Sequence, residues 1–215
     1  MRTALILVLI TLVGCYQSNK EVGELYHDDG RVKPRVALLP IYDRSGEEFA
    51  WSLSDELTHA IYQRIVNRGS LCIADLVEMK KAMPNMNPFG HEFGWLKKSF
   101  PEQEFIVFSE LVEHNIHPKQ SHSSFFDKLT PSCELDMTIR LRIFDLRGDS
   151  PEIILQEIIR QTHLIPKQEA ITDQDPGKWK HKTYAVSPLG FSHYQLSKEM
   201  VSRIEDYILL AKTKR

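Results

Sequence analysis

Five apolar residues recur every fourth position, Phe49, Leu53, Leu57, Ile61 and Ile65, with Trp51, Ala60 and Val66 widening the stripe. That period is the signature of a helix with one buried face. A short apolar run precedes it (Val36, Ala37, Leu38, Leu39, Pro40, Ile41) and another follows (Leu71, Cys72, Ile73, Ala74). Both are too short for helices and read as buried strands. Strand, helix and strand in that order predict a right-handed parallel unit. Ser45 with Glu48 three residues on resembles a capping box for the helix, and Gly69 suits a left-handed stop. Pro40 fits only near a strand end. Asp75 is expected to cap a short helix as far as Met83, ended by Pro84.

Further along, residues 84–103 are irregular and 104–113 return to strand character. Residues 114–131 read as a polar loop. Leu135, Met137, Ile139, Leu141 and Ile143 then alternate with Asp136, Thr138, Arg140 and Arg142, a strand with one wet face. Turn chemistry at 146–151 leads to an antiparallel partner over 152–164, and 166–186 is read as loop. Asp43, Arg44, Asp145 and Arg147, at strand ends, read as turn formers. Ser187-Pro188 opens a last helix buried along Leu196, Met200, Ile204, Tyr207, Ile208 and Ala211, with Lys212, Lys214 and Arg215 at its carboxyl end. The predicted class is α/β (α+β), a mixed parallel/antiparallel sheet with helices mainly on one face.

The amino terminus addresses location. Met1-Arg2 gives a positive start, residues 4–12 are apolar, and Leu12-Val13-Gly14-Cys15 follows before the chain turns polar. The apolar run is far short of the roughly 20 residues that span a bilayer, so it reads as an export signal. Leu12-Val13-Gly14-Cys15 resembles the lipobox of bacterial lipoproteins. The resemblance implies cleavage after Gly14 and acylation of Cys15, with the domain facing the periplasm. Tyr16 rather than Asp after the cysteine leans toward the outer membrane. Residues 1–14 are then a signal peptide, 15–34 an acylated cysteine and flexible tether, and 35–215 a single domain.

At a formal net charge of -2 no basic surface of the kind that binds nucleic acid is expected. Charged residues at 26% and hydrophobic residues at 42% suit one ordinary core. Besides Cys15 there are Cys72 and Cys133. Their apolar settings read first as two buried thiols, and an exported compartment permits the alternative that they pair.

The stretch RVALLPIYDRSGEEFAWSLSDELTHAIYQRIVNRGSLCIAD, followed by EFIVFSELVE, LDMTIRLRIFDLRG and EIILQE, resembles the amino-terminal domain of TolB. The lipoproteins LpoB and CsgG share that layout, and the whole chain is similar to an uncharacterised lipoprotein family of obligate intracellular bacteria. The resemblance implies a fold. It leaves open an activator-like binding module and a subunit of a ring-forming secretion channel. A channel needs membrane hairpins of alternating residues. The loops at 114–131 and 166–186 do not alternate.

Candidate sites are few. His114, His117 and His122, with Glu113 and Asp127, have spacings that suit zinc or copper, but a solvated loop is the simpler expectation, and neither a metal nor a cofactor is predicted. Lys178, Trp179, Lys180 and Lys182 mix cations with an aromatic ring, a candidate envelope-contact patch. Leu189-Gly190-Phe191-Ser192-His193 lacks the second glycine of a nucleophile elbow. No phosphate loop is present, and neither cysteine sits in an activated pair. The expectation is no enzyme but a membrane-anchored module that binds or scaffolds an envelope protein. The ring-forming channel stands as the alternative and a wall-acting enzyme ranks third. The oligomeric state is open.

Overall fold

In the computed structural model, residues 25–46, 49–82, 89–90, 92–118, 132–167 and 177–214 are described. The readings placed on Gly14, Cys15, Glu48, Met83, Pro84, His122, Asp127 and Arg215 lie outside them.

Chain order gives β1 (Arg35–Leu38), β2 (Tyr42–Asp43), α1 (Leu53–Arg68), β3 (Cys72–Ile73), α2 (Leu76–Ala82), α3 (Trp95–Ser99), β4 (Phe105–Pro118), β5 (Ser132–Asp145), β6 (Glu152–Pro166), a 3-10 turn (Lys178–Lys180), α4 (Lys182–Ala185) and α5 (Pro188–Thr213). They build a sheet in the order β3-β1-β4-β5-β6, with β2 also on β4. β1 runs parallel to β3 and β4, while β4, β5 and β6 are antiparallel. This is the predicted mixed sheet. β1 and β2 are two halves of one extended course along β4, interrupted at Pro40, which has no N–H to give a ladder. The second half was expected to be turn.

α1 and α5 cover one face. Val36, Leu38, Phe105, Val107, Leu111, Leu135, Met137, Ile139, Leu141 and Ile143 meet Leu57, Ile61, Ile65, Leu196, Met200, Ile204 and Ile208 there. The two helices are also joined through Glu205, which accepts from Arg68 and from Ser70 Oγ. The other face carries a smaller core, where Met79, Leu96 and Phe100 cover Ala37, Leu39, Ile106, Phe108 and Phe144. That smaller core spans only the parallel end, so the long antiparallel end keeps one face without a helix.

α1 begins later than predicted. Its cap is Ser52, whose side chain accepts from the Asp55 N–H, and not Ser45, whose hydroxyl instead donates to Asp43. Gly69 closes the helix at φ 66°, as expected. Ser187 and Pro188 start α5 as read, with Ser187 accepting from Gly190 N–H. Leu25 to Pro34, expected within the tether, instead folds back. Tyr26 bridges Val32, Gly30 turns at φ 82°, and Pro34 accepts from Cys72 N–H.

The polar loop predicted from 114 onward is also corrected. β4 continues to Pro118, and a bulge lies between Leu111 and Glu113, where one residue of β5 spans two of β4. The extra residue, Val112, is exposed. Side chains alternate along a strand, so one inserted residue reverses which face each later residue takes. Glu113 accordingly pairs with Thr138 on the open face, and His114 turns inward opposite Met137.

Cys72 and Cys133 are both thiols and are not bonded to each other. Cys72 stands beside Arg35 at the β1–β3 edge, whereas Cys133 stands opposite Pro118 at the far end of β4. Phe105 and Pro118 mark those two levels on β4, about 40 Å apart at strand rise, far beyond disulfide reach.

Candidate functional site

Charged residues seldom sit on the core side of a helix unless they are paired. Two do so here. Glu56 lies one turn from Leu53 and beside Leu57 on α1, and His193 lies between Leu189 and Leu196 on α5; they are 5% and 2% exposed. His193 Nδ1 lies 2.8 Å from Glu56 Oε1 and the indole N–H of Trp51 donates to Oε2 at 2.6 Å. The Tyr184 hydroxyl, on α4, lies 2.8 Å from the same His193 nitrogen and also hydrogen-bonds Glu56. His193 Nε2 is 2.9 Å from Nε2 of His114, which is 1% exposed. Phe49, Trp51 and Tyr184 pack edge-on around the cluster.

The partners assign the protons. Burial, then the charge of His193, pushes His114 down to about 3, so it is neutral at pH 7. His114 also hydrogen-bonds its own backbone, which leaves its Nε2 to accept. Both ring nitrogens of His193 are thereby engaged, Nδ1 by Glu56 and Tyr184 and Nε2 by His114. Burial alone would raise the Glu56 carboxyl, but His193 and the three hydrogen bonds outweigh it and hold it below the usual range. The result is a buried polar cluster with its hydrogen-bonding atoms engaged. Because both nitrogens of His193 are occupied, the imidazole has no lone pair for a substrate proton.

Gly190 makes this arrangement fit. A Cβ there would lie 2.0 Å from the Tyr184 carbonyl oxygen, so only glycine lets α4 close on the first turn of α5.

Above the cluster is a cleft of about 560 Å³ between α1 and α5, roofed by the 3-10 turn and α4. Glu56, His193 and Ser197 form its floor, Trp179, Tyr184, Tyr194, Ala60, Ala185 and Gly190 its walls, and His59, Arg64 and Lys180 its rim. The predicted patch is thus partly assembled here. Trp179 packs half-buried on the core beside His59, Lys180 reaches the rim, and Lys182 stays exposed at the start of α4.

The other predicted residues scatter. His117 points to the open face, 3.6 Å from Glu134 and from Asp136, away from buried His114. Among the described residues no group of three or more metal-ligating side chains forms, and no helix is long and apolar enough to cross a membrane. Asp145 and Arg147 do more than turn the chain. Asp145 is buried and paired with Arg147, which donates to the carbonyl of Ala211 near the carboxyl end of α5. Sequence reasoning passed over Glu56, Tyr184 and His193. The available signal was two titratable residues at core positions of two helical stripes.

A mixed sheet with two long helices on one face and a roofed cleft between them defines an α+β domain with a small-ligand-sized pocket. The chain belongs to the family of unknown function DUF7499, which matches residues 24–212. Among solved structures it is similar to the hypothetical protein CT253 of Chlamydia trachomatis, at 22% identity and a TM-score of 0.61 over 82% of this chain and 98% of that one. The lipoprotein GNA1162 of Neisseria meningitidis aligns at 9% identity and a TM-score of 0.43, covering 80% and 99% of the two chains. A minor lipoprotein of Acinetobacter baumannii aligns at 10% and 0.40, covering 81% and 92%. The likeness to the Chlamydia protein shows a shared fold. No curated protein matches the sequence.

Proposed function

We propose that this protein is a lipid-anchored, non-enzymatic binding module of the bacterial cell envelope. The location rests on one observation, Leu12-Val13-Gly14-Cys15 placed directly after a short apolar run. Acyl chains contribute about 0.8 kcal/mol per buried methylene, so two or three of them on Cys15 hold a domain at a membrane surface almost permanently. Tyr16 favours the outer membrane, with the domain in the periplasm. The binding role is supported by the α1–α5 cleft, where titratable groups are locked into a hydrogen-bonded floor while aromatic rings and cations face outward. Recognition, not proton transfer, suits such a surface. An envelope protein held through the Lys178–Lys182 segment is the expected scaffolding partner.

Metabolic labelling with an alkyne fatty acid tests the anchor. The native chain is expected to take label and Cys15→Ser to lose it along with membrane association; equal labelling of both would overturn the reading. Crosslinking in intact cells tests the partner, and recovery of no envelope protein would count against scaffolding.

A further inference from the structure

The cleft between α1 and α5 separates its chemistry by depth. At the floor the polar atoms are engaged: Glu56 accepts from His193 and Trp51, His193 is held on both sides, and the Ser197 hydroxyl lies on the carbonyls of His193 and Tyr194. A ligand group reaching the floor finds committed hydrogen bonds, and burying a polar group there without a partner costs free energy. The walls add three aromatic rings, Trp179, Tyr184 and Tyr194, set against the small side chains of Ala60 and Ala185 and the bare Gly190 backbone. Such walls accept a flat apolar body.

The rim differs. Arg64 and Lys180 line the cleft, and neither has a carboxylate within ion-pair distance among the described residues. Each cation instead lies near an aromatic ring, Arg64 at 3.8 Å from the centre of Tyr194 and Lys180 at 5.1 Å from that of Trp179. Ring faces hold a cation in place without neutralising it. The lining carboxylate, Glu56, is at the bottom and already saturated. Asp55 belongs to a second depression on the Pro40 side, which shares His59, Trp179 and Lys180. Among the described residues the rim is therefore a positive mouth over an apolar throat, with a volume in the ordinary range for small-molecule sites.

We propose that this cleft binds a small amphipathic anion, with a flat apolar body between Trp179, Tyr184 and Tyr194 and a carboxylate or phosphate head on Arg64 and Lys180. The inference deepens the binding-module reading by naming a ligand class. It does not depend on acylation, so failure of one leaves the other standing.

The test uses the full chain in nanodiscs of phosphatidylcholine, a lipid without net charge, with empty nanodiscs as the baseline. Equilibrium dialysis measures 1-naphthaleneacetate and 1-naphthyl phosphate, which carry the two head groups, against 1-naphthylmethylammonium, which reverses the charge. Saturable binding of at least one anion, at least tenfold tighter than the cation, is expected. Arg64→Gln with Lys180→Gln should weaken the anion at least tenfold and leave the cation no weaker. Ala185→Phe, which fills the cleft from an exposed wall position, should abolish binding while the unfolding midpoint stays within a few degrees. Equal binding of anion and cation, no saturable binding of either anion, or full binding by Ala185→Phe would each overturn the proposal.

Discussion

The two faces of the long antiparallel end carry charge in different ways. On the helix-covered face Glu56, His193 and His114 are nearly sealed from water and joined into one hydrogen-bonded unit. On the open face Glu110 is just as buried, at 2% exposed, but it lies between two arginines, Arg140 and Arg44, with Arg44 at 3.3 Å and largely exposed. Removing a buried charge's partner strands it in a poor solvent, whereas losing the exposed Arg44 leaves Glu110 still paired with Arg140. The comparison teaches that a spare partner, and the exposure of the partner removed, decide what the loss of one charge costs this domain.

The largest expected effect is Glu56→Ala, which strands His193 and the Trp51 N–H; a loss of about 3–5 kcal/mol is expected in urea unfolding. A loss under about 1 kcal/mol would show that the sealed face is no different from the open one. Acid should attack the same cluster. In the unfolded chain His114 takes its proton near pH 6.5, but in the fold not until about 3. Between those values the unfolded chain binds more protons, so stability is full above about 6.5 and drains as pH falls toward 3. Glu56, held below its usual range, adds loss of the same sign at the acid end. His114→Gln should flatten the slope between pH 6.5 and 4, measured as the urea midpoint at each pH. Gly190→Ala forces Tyr184 away from the cluster and should cost about 1–3 kcal/mol, read in the same experiment. Arg44→Ala, on the open face, should cost less than about 1 kcal/mol.

How much of this was legible in sequence follows the same division. Strands and long helices announced themselves by period: the Leu135 to Ile143 alternation and the α5 stripe appear where expected, and Leu53, Leu57, Ile61 and Ile65 line α1, although Phe49 and Trp51 precede that helix and Val66 is exposed. Local chemistry also served at Gly69, Asp75 and Ser187. The misses lie where tertiary contact decides. Ser45 and Glu48 offered a plausible cap, yet Ser52 is the residue that meets the helix start. The disulfide reading failed because spacing in sequence says nothing about which ends of a sheet two residues occupy. His114 looked solvated because it heads a polar stretch. What buries it is the bulge at Val112, two residues upstream, which has no compositional signature. Of the cleft, only Trp179 and Lys180 were singled out, because aromatic and basic residues in a loop draw notice while a glutamate in a helix does not.

The bulge at Val112 sets the phase of everything after it on β4, as a dislocation does in a row of atoms. Were Val112 taken into the regular ladder instead of bulging, Glu113 would face the helices and His114 the open side, though every member of the buried cluster kept its identity. In this chain, then, the site depends on where the ladder slips as well as on residue type. A column-by-column comparison that conserves Glu56, His114, Tyr184 and His193 can still describe a protein in which they never meet.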